Sequence, residues 1–383
     1  MTIGIIAEYN PFHNGHLYQI NKIKEKYPDS TIVLVLSGNF TQRGEPSIIN
    51  KFKKANIALK AGIDLIVELP FPFATQSADY FAYGGITLLE KLKVDKVIFG
   101  SETDNIKDLE EIVNAQLNNE EFDLLVHYYN KQGYNYPTSL SLALKELTGK
   151  VIDTPNDLLG ISYIKTIKKN NYKIIPETIK RTNEYHNTNN SESISSATSI
   201  RLALQEGRDV KENVPDYVIP YLTNLHFIED YYPFLKYKIL TEKDLSIYQT
   251  VTEGIDQLMK KEIINSNSYS ELLDKLKSKR YTQNKIQRML LHILVGFTKE
   301  DAKKYNNISY IRLLGFSNKG RTYLNKIKKE VDIPIISKIN RNKDPMLDFE
   351  IQTTKIYALT SNSSKELIEE EYKNHLNKED NYD

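Results

Sequence analysis

The sequence predicts an α/β fold: a doubly wound parallel sheet over residues 1–207, followed by a mainly α-helical C-terminal domain over 208–383. Two observations carry this expectation. Four short apolar, β-branched runs alternate with helical stretches through the first half, the pattern of βα units whose strands are covered on both faces. After about residue 208 that alternation gives way to helical segments rich in Lys, Leu, Ile and Tyr.

The first run, Ile3 to Ala7, enters the turn Glu8-Tyr9-Asn10-Pro11-Phe12-His13-Asn14-Gly15-His16, and a helix opens near His16 and runs from Leu17 to Tyr27. Thr31 to Ser37 is the second strand. A helix over Lys51 to Ala61 is closed by Gly62. Asp64 to Leu69 is the third strand, Ser77 to Leu92 a helix, and Val94 to Phe99 the fourth strand, ending at Gly100-Ser101-Glu102. Residues 105–170 read as mainly helical, with Asn156 in the first turn of a helix opened by Pro155; Tyr172 to Ile179 is a further strand, ending at Lys180-Arg181. The polar stretch Thr182 to Ser193 is expected to be mobile and to close over the site. Alternation at Asp348 to Leu359 predicts a strand, and residues 364–383 a terminal helix that frays. Ligands of such sheets bind at the carboxyl ends of the strands, so the loops after the first four strands should ring one crevice.

The first of these loops carries the chemistry. Pro11 bends the chain, Asn14-Gly15 suits a backbone with positive φ, and His13 and His16, at i and i+3, share a face at the start of the helix. A helix N-terminus collects anions, and imidazoles there donate to phosphate oxygens without a metal. The chain has only 7 histidines, so two on one strand-turn-helix point to a nucleoside triphosphate site. By spacing alone, polar surface histidines of a first βα turn fit as well. The chain lacks the lysine of a phosphate-binding P-loop. Attack on the α-phosphate with loss of pyrophosphate fits this set, with His13 and His16 stabilising the growing charge. Both imidazoles are expected to lie exposed on the turn and to contribute little packing. Gln42 and Arg43, after the second strand, reach an anionic group or are simply solvated.

Composition narrows the alternatives. A chain of 383 residues with net charge +1 has room for two domains and does not advertise a polyanion partner as a whole, so any RNA surface must come from local segregation of charge. With 0 cysteines there are no disulfides, thiolate metal sites or cysteine nucleophile. No apolar run approaches the ~18 residues of a membrane span, and the predicted location is cytoplasmic.

The pattern His-x-Gly-His resembles the nucleotidyltransferase and class I aminoacyl-tRNA synthetase superfamily, which binds ATP on a Rossmann-like sheet. The longer strings Glu8 to His16, Ser37 to Glu45 and Phe99 to Glu102 are similar to the bacterial tRNA(Met) cytidine acetate ligases. That resemblance implies a nucleotidyltransferase-type catalytic domain. It implies ATP contacts from Ile6, Ala7, Glu8, Tyr9, Asn10, Pro11, Phe12, His13, Asn14, Gly15, His16, Leu17, Tyr18 and Gln19, together with Gly100, Asn156 and Arg181. Read without it, Gly100 fits a turn glycine and Asn156 a capping residue. Ser195 to Arg201 resembles the superfamily's second signature, with Ala197 where the second serine belongs, so Thr198 is its best-matched hydroxyl and fits a helix cap equally.

The implied activity is a ligase that turns acetate and ATP into acetyl-adenylate and pyrophosphate. It then acetylates the exocyclic amine of the wobble cytidine of elongator tRNA(Met), giving N4-acetylcytidine and AMP. Magnesium would arrive with the ATP phosphates; no dedicated carboxylate cluster is visible. In the second half, Arg280 to Arg288 and Ile311 to Arg321 mix cations with aromatics, the pairing that single-stranded RNA favours, and so nominate Arg280, Arg288, Arg312 and Arg321 as tRNA contacts. A solvated helix face reads the same way. Two other functions fit less of the sequence: adenylylation of a small phosphorylated acceptor, and a non-catalytic nucleotide- or RNA-binding module.

Overall fold

A computed structural model describes residues 1–117, 119–150, 154–181, 196–252, 254–278, 280–339 and 344–373. The stretch Thr182 to Ser193, expected to close over the site, lies outside the described residues, as do the last ten residues of the expected terminal helix.

Five strands, β1 (Thr2–Ala7), β2 (Thr31–Ser37), β3 (Leu65–Leu69), β4 (Lys96–Ser101) and β5 (Ile175–Lys180), run parallel in one sheet. Two more, β6 (Ile311–Phe316) and β7 (Ile335–Ile336), extend it to the order β5-β4-β1-β2-β3-β6-β7, with β6 antiparallel to β3. Helices in the first half are α1 (Asn14–Lys26), α2 (Lys51–Lys60), α3 (Phe71–Ala74), α4 (Ala78–Lys91), α5 (Ile106–Gln116), α6 (Glu120–Lys131), α7 (Tyr136–Thr148), α8 (Pro155–Lys169) and α9 (Ala197–Gln205). Those in the second are α10 (Tyr232–Thr241), α11 (Ile255–Glu262), α12 (Tyr269–Leu276), α13 (Gln283–Val295), α14 (Lys299–Lys304), α15 (Asn318–Ile327), α16 (Pro345–Tyr357) and α17 (Ser364–Glu370).

Strand β2 is buried at every residue because its alternate side chains enter two cores. Val33 and Val35 pack with α4 and the α5–α8 group, while Ile32, Leu34 and Leu36 pack with α1, α2 and α9. A third core lies among α10 to α13 and α16, and Phe40, from the loop after β2, and Phe71, the first residue of α3, are inserted into it. The helical half is thus joined to the strand ends that form the crevice.

Two expectations for the second half are corrected. The segment Asp348 to Leu359, expected as a strand, lies mostly in α16, because Asp344 caps the amides of Met346 and Leu347 and Pro345 occupies the first turn. Buried Leu347, Glu350, Ile351, Thr354 and Tyr357 follow the helical period. Conversely, Ile311 to Phe316, read as part of an RNA-binding segment, is β6 and all but its last residue is buried.

Candidate active site

Strands β2 and β3 lie to one side of β1, and β4 and β5 to the other, so chain order reverses between β1 and β4. The β1–β4 ladder has only two registered pairs, Ile3 with Lys96 and Gly4 with Val97, although both strands run on. They splay towards their carboxyl ends. Gln19, from α1, bridges the gap by donating its Nε2–H to the Ile98 carbonyl at 3.1 Å. At this switch point opens a cavity of about 1800 Å³, lined by residues of both halves of the chain.

The two histidines hold each other. His13 is the N-cap of α1: its Nδ1 accepts from the Gly15 amide at 3.1 Å, while the His13 amide donates to His16 Nδ1 at 3.2 Å. The rings stack with centroids 3.7 Å apart. Because each Nδ1 is an acceptor from the backbone, each neutral ring carries its proton on Nε2. Burial, and then the Arg181 charge, push His13 down to about 4; burial, His13 and Arg181 hold His16 well below its ordinary value. Both are therefore neutral near pH 7, donors through Nε2–H alone. The expectation of exposed imidazoles that contribute little packing is corrected: His13 is buried, and His16 is partly buried against Tyr9 and Phe12.

Gly15 is also explained differently. It is helical, and a Cβ there would stand 2.9 Å from His13 Cε1, so glycine makes room for the capping imidazole. The positive φ of the turn falls instead on Tyr9, at 47°, followed by a cis Asn10–Pro11 bond.

Of the stretch Ile6 to Gln19, all but Pro11, Phe12 and Leu17 line the cavity; Phe12 and Leu17 pack into the core beneath it. Gly100, Asn156 and Arg181 line it too, on the β4–β5 side. A Cβ on Gly100 would lie 3.0 Å from Arg181 Cγ, so the bare strand end lets the arginine stem cross it. Asn156 donates to Glu102 Oε1, and Arg181 Nε lies 4.0 Å from the same oxygen.

The β2 side is more heavily charged. Glu8 is half-buried and its carboxyl is pushed up by desolvation, while its Oε1 accepts from the Gln42 amide at 2.6 Å. Beneath it Lys54 donates to the carbonyls of Glu8, Ser37 and Gly38 at 3.0, 2.8 and 2.8 Å, with its pKa lowered by burial to about 7. Arg43 Nη1 donates to Thr198 Oγ1 at 3.0 Å, and Arg201 donates to the Asn10 carbonyl at 2.9 Å and to Glu45 at 3.2 Å. Glu8 had no signal in the sequence beyond following a strand end, and the buried Lys54, inside α2, had none.

The four arginines nominated for RNA separate. Arg312 is fully buried in β6, where its Nη2 donates to the Glu371 carbonyl at 2.8 Å, which leaves no guanidinium surface for RNA. Arg321 is exposed on α15, whose first residues bond Asp64 and Ser30 at the amino ends of β3 and β2, the opposite end of the sheet from the cavity. Arg280 is exposed on the turn before α13. Arg288 lies in the cavity wall itself. Its apolar flanks, Ile286, Met289 and Leu290, were the available signal. Among the described residues no group of three or more His, Asp or Glu could hold a metal ion, and no helix is long and apolar enough to cross a membrane.

A neutral histidine pair at a helix N-terminus, on the switch point of a parallel sheet, defines the nucleotidyl-transfer class, and the comparisons agree. The chain belongs to the HIGH nucleotidyl transferase family, whose model matches residues 1–371. It is 39% identical over 377 residues to the tRNA(Met) cytidine acetate ligase of Geobacillus sp. (strain WCH70), covering 93% of this chain and 94% of that one. It is 38% identical over 390 residues to the protein of that name from Caldicellulosiruptor saccharolyticus, covering 97% of each. Among solved structures it is similar to apo Thermotoga maritima TmcAL, with TM-score 0.89 and 30% identity over 98% of this chain and 99% of that one. The same protein bound with alpha-thio ATP matches with TM-score 0.86 and 30% identity, over 97% of each chain.

Proposed function

We propose that this chain is an ATP-dependent tRNA(Met) cytidine acetate ligase, with the nucleotide chemistry in residues 1–207 and most tRNA contacts in 208–383. The observation that carries the reading is one cavity of about 1800 Å³ shared by both halves. Pockets for single small ligands span roughly 300–1,000 Å³, so there is room for a nucleotide and an incoming nucleoside together.

In the first step an acetate oxygen attacks the α-phosphorus of ATP, the bond to the bridging oxygen breaks, and pyrophosphate leaves with the electron pair. His13 and His16 donate through Nε2 to phosphoryl oxygens, while Arg181 adds fixed charge; donors already aimed by backbone hydrogen bonds need no reorganisation as charge develops. In the second step the exocyclic amine of the wobble cytidine attacks the acetyl carbonyl, loses a proton, and expels AMP. An anticodon-loop base leaves its stack at low cost, which suits a buried site. ATP is the co-substrate, and any magnesium would come with its phosphates. With tRNA and ATP as substrates, the compartment is the cytoplasm.

Acetate-dependent ATP–pyrophosphate exchange, followed by mass analysis of nucleosides from unmodified elongator tRNA(Met), tests the reading. Exchange and a gain of one acetyl group are expected. Turnover only with a phosphorylated small acceptor would replace it with a cofactor-type nucleotidyltransferase. For the RNA face, Arg280→Gln is expected to weaken tRNA binding and to reduce the salt slope by about one, without altering adenylation.

A further inference from the structure

Arg288 enters the cavity from α13, a helix of the second half. Its Nη1 donates to the Gln42 carbonyl at 3.2 Å, its Nε is buried with no partner, and no described group bonds its Nη2. Burial alone lowers its pKa, to about 10, so it keeps its charge at neutral pH with no carboxylate compensating it. A buried cation left without an anion is costly, and a guanidinium edge offering Nε–H and Nη2–H in parallel matches the two oxygens of a carboxylate.

The surroundings fix that edge in place. Gly44, at φ +82°, lies so close to α13 that a Cβ would stand 2.5 Å from the Arg288 nitrogen. The loop after β2 therefore rests backbone to backbone on the helix. Glu8 bonds the amide of Gln42, whereas Arg288 bonds its carbonyl, so the Gln42 residue stands between the carboxyl and the guanidinium.

We propose that the Nε–Nη2 edge of Arg288 is the acid subsite, holding the carboxylate of the small acid whose oxygen attacks the α-phosphorus. The inference rests on the ligase reading above and adds the residue that binds the acid. Gln19, Gly100, Asn156 and Arg181 gather at β4 and β5, while Arg288 stands across β1 on the β2 side. An in-line displacement needs the attacking oxygen and the leaving group on opposite sides of phosphorus, and a nucleophile approaching from a different wall than the nucleotide meets that need. A carboxylate held by one edge keeps lone pairs outside the fork for attack.

Two measurements on the purified full chain test this. In acetate-dependent exchange, Arg288→Gln should raise the KM for acetate about tenfold or more while the KM for ATP moves less than about twofold. Arg288→Lys, which keeps the charge and loses the planar edge, should fall between. In saturation-transfer NMR, acetate bound to wild-type protein loaded with a non-hydrolysable ATP analogue should lose its signal in Arg288→Gln. Thermal stabilisation by that analogue reports whether each variant is folded, and Arg288→Lys decides if the glutamine variant is not. An unchanged acetate KM, or equal losses for acetate and ATP in a folded variant, would overturn the proposal; the second result would assign the edge to a phosphate oxygen. If wild-type protein shows no acetate-dependent exchange, the ligase reading fails, and NMR alone then decides whether Arg288 binds a carboxylate.

Discussion

His13 combines two jobs: its Nδ1 caps α1, and the residue lines the cavity with Nε2 left to carry the proton. Substitutions can separate them. In His13→Asn the amide oxygen can still accept from the Gly15 amide, so the cap survives and only the packing of the ring stacked on His16 is lost, while adenylation collapses. His13→Ala should lose adenylation and be about 1 kcal/mol less stable than His13→Asn, because it loses the cap as well as the ring. Equilibrium denaturation and pyrophosphate exchange on both variants check this, and a fully active His13→Asn would remove the imidazole from the chemistry. Because burial holds His13 at about 4 and His16 well below its ordinary value, the exchange rate should show no imidazole titration near pH 6.5. A half-maximal rate at that pH traced to either ring would mean that the pair works as a cation.

At the scale of elements, a buried ionic cluster ties the second half to the sheet. Lys51, at the start of α2, reaches Glu68 of β3 at 2.7 Å and Glu371 beyond α17 at 2.6 Å, with Glu350 of α16 at 3.9 Å. Arg312 of β6 holds Glu371 from the other side. Desolvation, and then Glu68, raise Glu350 well above the usual carboxylate range; at Glu371 burial pushes the same way, but Lys51 and Arg312 together outweigh it and hold the carboxyl down. Replacing one partner of such a cluster strands the others without water. Lys51→Met should therefore cost about 3–5 kcal/mol, read as a lower denaturant midpoint. A neutral outcome would mean that water enters and solvates the carboxylates.

For the molecule as a whole, acid stability follows from its buried neutral imidazoles. Burial lowers His13, His226 and His292 to about 4, against an ordinary value of 6.5. The unfolded chain thus takes up protons at a higher pH than the folded one. The stability these groups contribute is complete above pH 6.5 and is lost as the pH falls towards 4, at most about 3 kcal/mol for each imidazole. Denaturation midpoints between pH 7.5 and 4.5 should decline across that window; a flat profile would mean that the rings are solvated in the folded state.

What the sequence by itself determined was local: strands β1 to β5, the helices between them, the turn that carries His13 and His16, and the gathering of unusual residues at strand ends. These follow from periodicity, turn residues and motif spacing, which neighbouring residues impose on one another. Tertiary structure decided what depends on distant partners. It alone made Ile311 to Phe316 a strand, because β3 offered an open edge, and it fitted the buried face of the helix that Asp344 and Pro345 begin into two cores. It also buried Arg312 against Glu371 and turned Arg288 into the cavity, roles that depend on residues 59 and 246 positions away and on how completely water is excluded around a charge.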